Sequence, residues 1–326
     1  MIKYLLRRVV GWLLMIIIAT NVTYFLANIF LKPRALYVGR RPPVPEEVVD
    51  RTLQANNLND KVPILERWWI WFKDIVLHWD WGTSPTGDPV NDQVAFRIWV
   101  SAELVLGGFV VATLLGIGLG VYAASRQYKL GDRVNQGLSI VTLNIPVVVA
   151  ALGIVLIAIR FNQLVGVRLF YVTGSETPGV TGFAAILDTV QHLALPTLVL
   201  VLTGYAGTQM LQRSLLLDNI SADYVRTARA KGLTKARAIR KHALRTSLIP
   251  VATQVAFSIP ALFTGAVLTE TIFQWEGMGK YFVDTINKMD VHGVVASAAF
   301  GALMTAIGAV LADIAIVVLD PRVRVR

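Results

Sequence analysis

Six stretches of this chain are long and apolar enough to cross a bilayer as single helices: Val9–Leu31, Trp99–Ala124, Val134–Phe161, Leu193–Leu217, Leu248–Phe273 and Val294–Leu319. A hydrocarbon core about 30 Å thick needs roughly 20 helical residues. Within it, backbone hydrogen bonds must be satisfied inside the segment. The expected fold class is therefore an all-α membrane protein with six transmembrane helices. Composition agrees: 16% of residues are charged, against about 25% in a soluble domain. The first run follows Lys3, Arg7 and Arg8 as in a signal peptide. It is too long for one, and no A-x-A cleavage site follows, so it reads as a retained anchor.

The basic residues orient these spans. Segments 1–8, 125–133, 213–247 and 320–326 hold 18 of the 31 Lys and Arg residues but only four acids, Asp132, Asp218, Asp223 and Asp320. Their net charge is +14, against −4 for the rest of the chain. Cytoplasmic loops carry the Lys/Arg excess. Both termini and the long 213–247 loop are thus expected in the cytoplasm. The same bias accounts for the basic loop without nucleic acid as a partner.

Several chemistries drop out. There is no cysteine, hence no disulfide, thiolate metal site or cysteine nucleophile. His78, His192, His242 and His292 show no HExxH spacing, and no metal site is expected. Gly277–Lys280 ("GMGK") lacks the spacing and the following Ser or Thr of a phosphate-binding loop. The spans hold no paired aspartates or Ser–His pair, so no catalytic residue is expected and an intramembrane enzyme is disfavoured.

The chain divides into 1–95, one span plus an external helical segment, and 96–319, a five-helix core, followed by a basic tail at 320–326. In the external segment Pro45, Glu46 and Glu47 mark a helix start. "ILERWWIWFKDIVL" reads as an amphipathic helix. Its Trp68, Trp69, Trp71 and Phe72 suit the membrane interface, or packing against the outer ends of the spans; both readings are compatible.

The cytoplasmic loop contains "SADYVRTARAKGLTKARAIRKHALRTSLIP". Ser221 is expected as an N-cap, with Asp223 favourable in the first turn. Gly232 should stop the first helix as a left-handed C′ residue. Thr234 should cap a second helix running toward Pro250. The loop is thus two helices joined at a glycine elbow. Small residues of the first helix, Ala222, Thr227, Ala228 and Ala230, permit close approach of another surface. In the second, Ile239, Leu244 and Ile249 are expected toward the membrane, and Arg237, Lys241 and Arg245 toward water.

"DYVRTARAKGL…RKHALRTSLIP" resembles the EAA loop of binding-protein-dependent ABC importer permeases, in its dipeptide/oligopeptide branch. Of the general EAA letters only Ala228 matches; the first two fall on Arg226 and Thr227. "MIKYLLRRVVGWLL", "LNDKVPILERWWIWFKDIVLHWDWGTS", "LNIPVVVAALGIVLI", "LTETIFQWEGMGKYFVDTI" and "DIAIVVLDPRVR" resemble, in order, the B-type subunit of that family. The resemblance implies the type I ABC importer permease fold in a bacterial cytoplasmic membrane, and the function of a permease subunit of an ATP-driven peptide importer. It implies that loop 218–247 couples to an ATPase through Tyr224, Arg226, Thr227, Ala228, Arg229, Ala230, Lys231 and Gly232. The implied partners are a homologous C-type permease, one or two ABC ATPase subunits holding ATP and Mg, and an extracytoplasmic peptide-binding protein. No cofactor is expected on this chain.

Polar groups at membrane depth need a reason. Asn144, next to the span-breaking Pro146, and Glu270 and Asp313 are candidates for the translocation path, with helix packing as the other reading. Glu103 reads as a wet interface residue and Arg160 as a snorkelling one. Glu270 and Asp313 also suit an ion-coupled secondary transporter, an alternative that leaves the glycine elbow unexplained. Pro196, Pro250 and Pro260 mark bends. Gly107, Gly108, Gly116, Gly118 and Gly120 offer a small-residue face for close helix packing.

Overall fold

The computed structural model describes the backbone of residues 2–319, with side-chain surroundings for these except 2–6, 260–265, 316 and 319. The basic tail expected at 320–326 lies outside the described residues. Helices dominate: α1 (Ile2–Phe30), α2 (Glu46–Ala55), α3 (Ile64–His78), α4 (Val90–Ser125), α5 (Leu130–Asn144), α6 (Val147–Val165) and α7 (Phe183–Ile220). They are followed by α8 (Asp223–Ala230), α9 (Lys235–Ala238), α10 (Leu244–Gly265), α11 (Val267–Phe273), α12 (Met278–Asn287) and α13 (Val291–Leu319).

Among the described residues, five helices are long and apolar enough to span: Arg7–Phe30, Val90–Ser125, Val147–Val165, Phe183–Ile220 and Val291–Ala315. The expected Leu248–Phe273 segment forms α10 and the short α11. The expected Val134–Phe161 segment is two helices. Ile145 is extended (φ −83°, ψ 118°), the conformation a following proline imposes, and Pro146, which has no N–H to donate, sits at the N-cap of α6. Pro196 lies inside α7, and Pro250 and Pro260 inside α10; those helices continue through them. Two spanning helices begin earlier than their apolar runs. The polar Val90–Ile98 stretch is already helical, and its Arg97 is paired with Glu276 at 2.8 Å. The first turns of α7 hold Asp188, whose carboxylate accepts from the Thr177 amide and hydroxyl at 2.7 and 2.6 Å.

Contacts divide the chain into two compact units. One comprises the chain up to Ser101 with Phe263–Val267 and Glu276–Ala306; the other comprises Ala102–Leu262, Leu268–Trp275 and the stretch from Ile307 onward. In the first unit, α3 lies on α1. Trp71 is buried and stacks on Tyr24 at 4.5 Å between ring centres. Trp68 donates from Nε1 to Asn21 Oδ1 at 2.7 Å, while Trp69 stays 58% exposed. Packing therefore claims Trp71 and Trp68, and Trp69 keeps an outward face suited to an interface. Buried Arg67 donates from Nη1 to Asn28 Oδ1 at 2.6 Å. Outside this core Arg34 and Lys61 converge on Asp50 at 2.5 and 2.7 Å.

Asp290, in the turn between α12 and α13, is buried. It accepts from the Gly293 amide at 2.9 Å. Burial nevertheless pushes its carboxyl up to about 6. A carboxyl raised in the folded state disfavours folding once ionised. Stability should therefore rise as pH falls through about 6 toward the unfolded value near 4, by an amount on the order of 3 kcal/mol in all. Only part of that change is complete at pH 5.5, so the expected result is a melting temperature roughly one to two degrees higher at pH 5.5 than at pH 7.5, with Asp290→Asn stabilising at pH 7.5 and flattening the difference. An unchanged pH difference in Asp290→Asn would remove this assignment.

Candidate functional site

The basic loop begins where α7 ends. Ser221 closes that helix, its Oγ donating to the Asp218 carbonyl at 3.0 Å. It is not the N-cap expected from sequence. Ala222 holds that position in extended conformation (φ −67°, ψ 148°) and offers no side-chain cap. Asp223 in the first turn supplies the favourable negative charge instead.

α8 has two unlike faces. Val225 and Ala228 are buried in a cluster with Ala124, Leu216, Ala238, Ile239 and Ala243. Tyr224, Arg226, Thr227, Arg229, Ala230 and Lys231 are exposed. The Tyr224 hydroxyl donates to Asn219 Oδ1, which ties the helix to the last turn of α7. The expectation for Ala228 changes here. Its small side chain serves packing within this chain, where a larger one would overfill the cluster; Thr227 and Ala230 are the small residues on the open face.

The glycine elbow is as expected. Gly232 has φ +94°. The Leu233 amide donates to the Ala228 carbonyl at 3.2 Å and the Gly232 amide to the Arg229 carbonyl at 3.0 Å. These two bonds form a Schellman motif, and Leu233 packs on the same buried cluster. A Cβ at Gly232 would meet nothing within 4 Å. The backbone angle, not crowding, demands glycine.

Thr234 then caps the next helix, Oγ1 accepting from the Arg237 amide at 3.4 Å. α9 passes through a π-helical turn, Ile239–Ala243, into α10. Ile239 is buried against α7 and α8 rather than turned to the membrane as expected. Arg237, Lys241 and Arg245 are exposed.

Beneath the loop, in the same unit, runs a polar seam. Asp132 of α5 is buried, and Arg213 of α7 holds it with two bonds: Nε to Oδ1 at 2.7 Å and Nη2 to Oδ2 at 2.8 Å. The Tyr128 amide also donates to Oδ2 at 2.9 Å. The Arg213 guanidinium holds this carboxyl below the usual carboxylate range, against the opposing effect of burial. Farther along lie buried Asn135, Ser139 and Thr142 on α5 and Tyr205, Gln209 and Gln212 on α7. Gln212 Nε2 donates to Ser247 Oγ of α10 at 2.9 Å. α5 is thus inside-out: Val134, Leu138 and Val141 point outward. A polar stripe at 132, 135, 139 and 142 in an apolar neighbourhood is the sequence signal for this seam.

α4 reaches α7 through glycine. A Cβ on Gly108, Gly116 or Gly120 would stand 2.9 Å or less from Leu200, the Tyr205 carbonyl or the Gln209 carbonyl, respectively. Gly107 and Gly118 face open space. Three of the five expected glycines therefore make the close contact.

The candidate path residues sit on three elements in unlike surroundings. Asn144 ends α5, exposed, with Nδ2 donating to the Ile140 carbonyl at 2.7 Å. Glu270 is fully buried in α11. Asp313 is half-buried in α13. Glu103 and Arg160 are exposed. No cluster of three or more His, Cys, Asp or Glu suited to a metal occurs among the described residues.

Residues 116–325 match the family model described as binding-protein-dependent transport system inner membrane component. Over 327 aligned positions, all of both chains, the sequence is 41% identical to the oligopeptide transport system permease protein OppB of Mycobacterium bovis, and equally to that of Mycobacterium tuberculosis. It is 31% identical to the dipeptide transport system permease protein DppB of Bacillus subtilis, covering 99% of this chain and 98% of that protein.

Proposed function

The chain belongs to the family of binding-protein-dependent transport system inner membrane components, and from this we infer that it is the B-type permease subunit of an ATP-driven peptide importer. It is a multi-pass inner membrane protein and a transport subunit rather than an enzyme. The observation that carries the substrate class is the end-to-end similarity to oligopeptide and dipeptide permeases.

Six spans with both termini inside follow from the Lys/Arg bias together with α10–α11 as the fifth crossing. A homologous C-type permease completes the path between the two chains. One or two ABC ATPase subunits, which bind the ATP and Mg, seat against the exposed face of α8. A peptide-binding protein delivers substrate from outside. The rigid elbow at Gly232 supports a coupling role: it holds α8 at a set angle to the helix that becomes a span, so displacement of α8 turns that span instead of being absorbed in a slack loop. Asn144, Glu270 and Asp313 remain proposed path residues, with Asn144 the one already open on this chain.

Reconstitution with the partner subunits tests the reading. ATP-dependent uptake of labelled peptide into proteoliposomes, unaffected by a protonophore, is expected. Uptake driven by a proton gradient without ATP would establish the ion-coupled alternative through Glu270 and Asp313. For topology, cysteines replacing exposed Lys73 and Lys235 should react oppositely with an impermeant thiol reagent in intact cells, and reaction only at position 235 would reverse the orientation.

A further inference from the structure

Resting on that reading, we propose that the Asp132–Arg213 pair is the joint that carries displacement of the coupling loop into α5, making both residues positioning residues for transport.

α7 runs unbroken to Ile220 and is linked to α8 by only Ser221 and Ala222. Arg213 lies seven residues before that end, about 10 Å along the axis. α8 is bolted to the same end of α7 by Val225 and Ala228 against Leu216. A push on α8 therefore moves the last turns of α7 first. At Arg213 the motion meets α5 through two parallel bonds whose planar geometry resists rotation as well as separation.

Asp132 in turn grips the α4–α5 turn through the Tyr128 amide, so the turn moves with the pair. An apolar contact of the same size would hold the helices together without the cost of desolvating two charges. What the ion pair adds is a defined register between α5 and α7.

The rest of the seam suits a contact that changes partners. Gln209 is fully buried and, among the described residues, neither end of its amide has a partner; Gln212 Oε1 and Ser139 Oγ likewise lack one there. Buried amides left unpaired cost free energy. Polar groups tolerated in this state can gain partners when α7 shifts along α5, while the ion pair at the inner end keeps the two helices in step.

The test uses the assembled transporter in proteoliposomes, comparing Asp132→Asn, Arg213→Lys and the charge-exchanged Asp132→Arg/Arg213→Asp with the parent. Three quantities are read: assembled complex, ATP hydrolysis and peptide uptake. The expected result is ATP hydrolysed per peptide imported rising at least tenfold in both single variants, with assembly retained and the exchanged pair recovering part of the coupling. An unchanged ratio in either single variant, with uptake merely tracking the amount of complex, would reject the joint. So would failure of both single variants to assemble, since the pair would then serve folding alone. Absence of ATP-driven uptake in the parent would instead count against the importer reading itself.

Discussion

Gly232→Val is expected to abolish peptide uptake while leaving the protein inserted at normal abundance. Gly232 sits at φ +94°, where a β-branched residue is strained by about 1–2 kcal/mol or more. Nothing within 4 Å would crowd the new side chain, so the strain has one outlet, a change of backbone angle. That change breaks the two bonds to Arg229 and Ala228 and lets α8 swing relative to α9. The substitution adds no charge and alters no span, so insertion has no reason to change. Gly232→Ala, with less strain at the same angle, should show an intermediate defect. Uptake and ATP hydrolysis in proteoliposomes containing equal amounts of complex are the measurements. Wild-type uptake by Gly232→Val would mean that the elbow's angle plays no part in coupling. Ala228 is a poorer probe than Gly232. It is buried, so a large residue there disturbs this chain's own packing before it reaches any partner.

The second large effect separates two glycines of one helix. Gly120→Leu is expected to eliminate folded protein, and Gly118→Leu to be nearly silent. A Cβ at Gly120 would stand 2.8 Å from the Gln209 carbonyl oxygen and 2.8 Å from Gln212 Cβ. The first is backbone in the middle of α7 and has nowhere to go. The helices must separate, which forfeits the packing that holds them together in lipid, where apolar surface has no water to escape. The overpacking cost is typically 1–3 kcal/mol and more when backbone must move. At Gly118 nothing lies within 4 Å, and leucine facing outward is at home in hydrocarbon. Thermal melting and the yield of monodisperse protein in detergent check both. Equal behaviour of the two variants would show that the α4–α7 contact is not as close as described.

Those two glycines mark the line between what could be read from the chain alone and what could not. Five of the six expected spans have a spanning helix among the described residues, and they were legible because bilayer thickness acts on each segment separately, so that about twenty apolar residues suffice. The break at Asn144–Pro146, the stop at Gly232 and the cap at Thr234 were legible for a similar reason. Each follows from the sterics and hydrogen bonds of a few consecutive residues. The peptide-importer family was legible because the basic loop that resembles it is one continuous stretch.

What the sequence left undecided was which neighbours meet. Gly118 and Gly120 are the same residue two positions apart, and only the path of α7 distinguishes them. Ala228 looked like a docking residue and Ile239 like a lipid-facing one until α8, α9 and the end of α7 closed around both. Ser221 matched an N-cap in type, but the last turn of α7 had already claimed it. Asp132 and Arg213 are 81 residues apart. Each read singly as part of the inward-facing charge bias, and their pairing depends on how α5 and α7 cross. Hydropathy and local backbone sterics are properties of a segment; packing in a membrane is a property of pairs, decided by close approach and buried polar partners that no single segment contains.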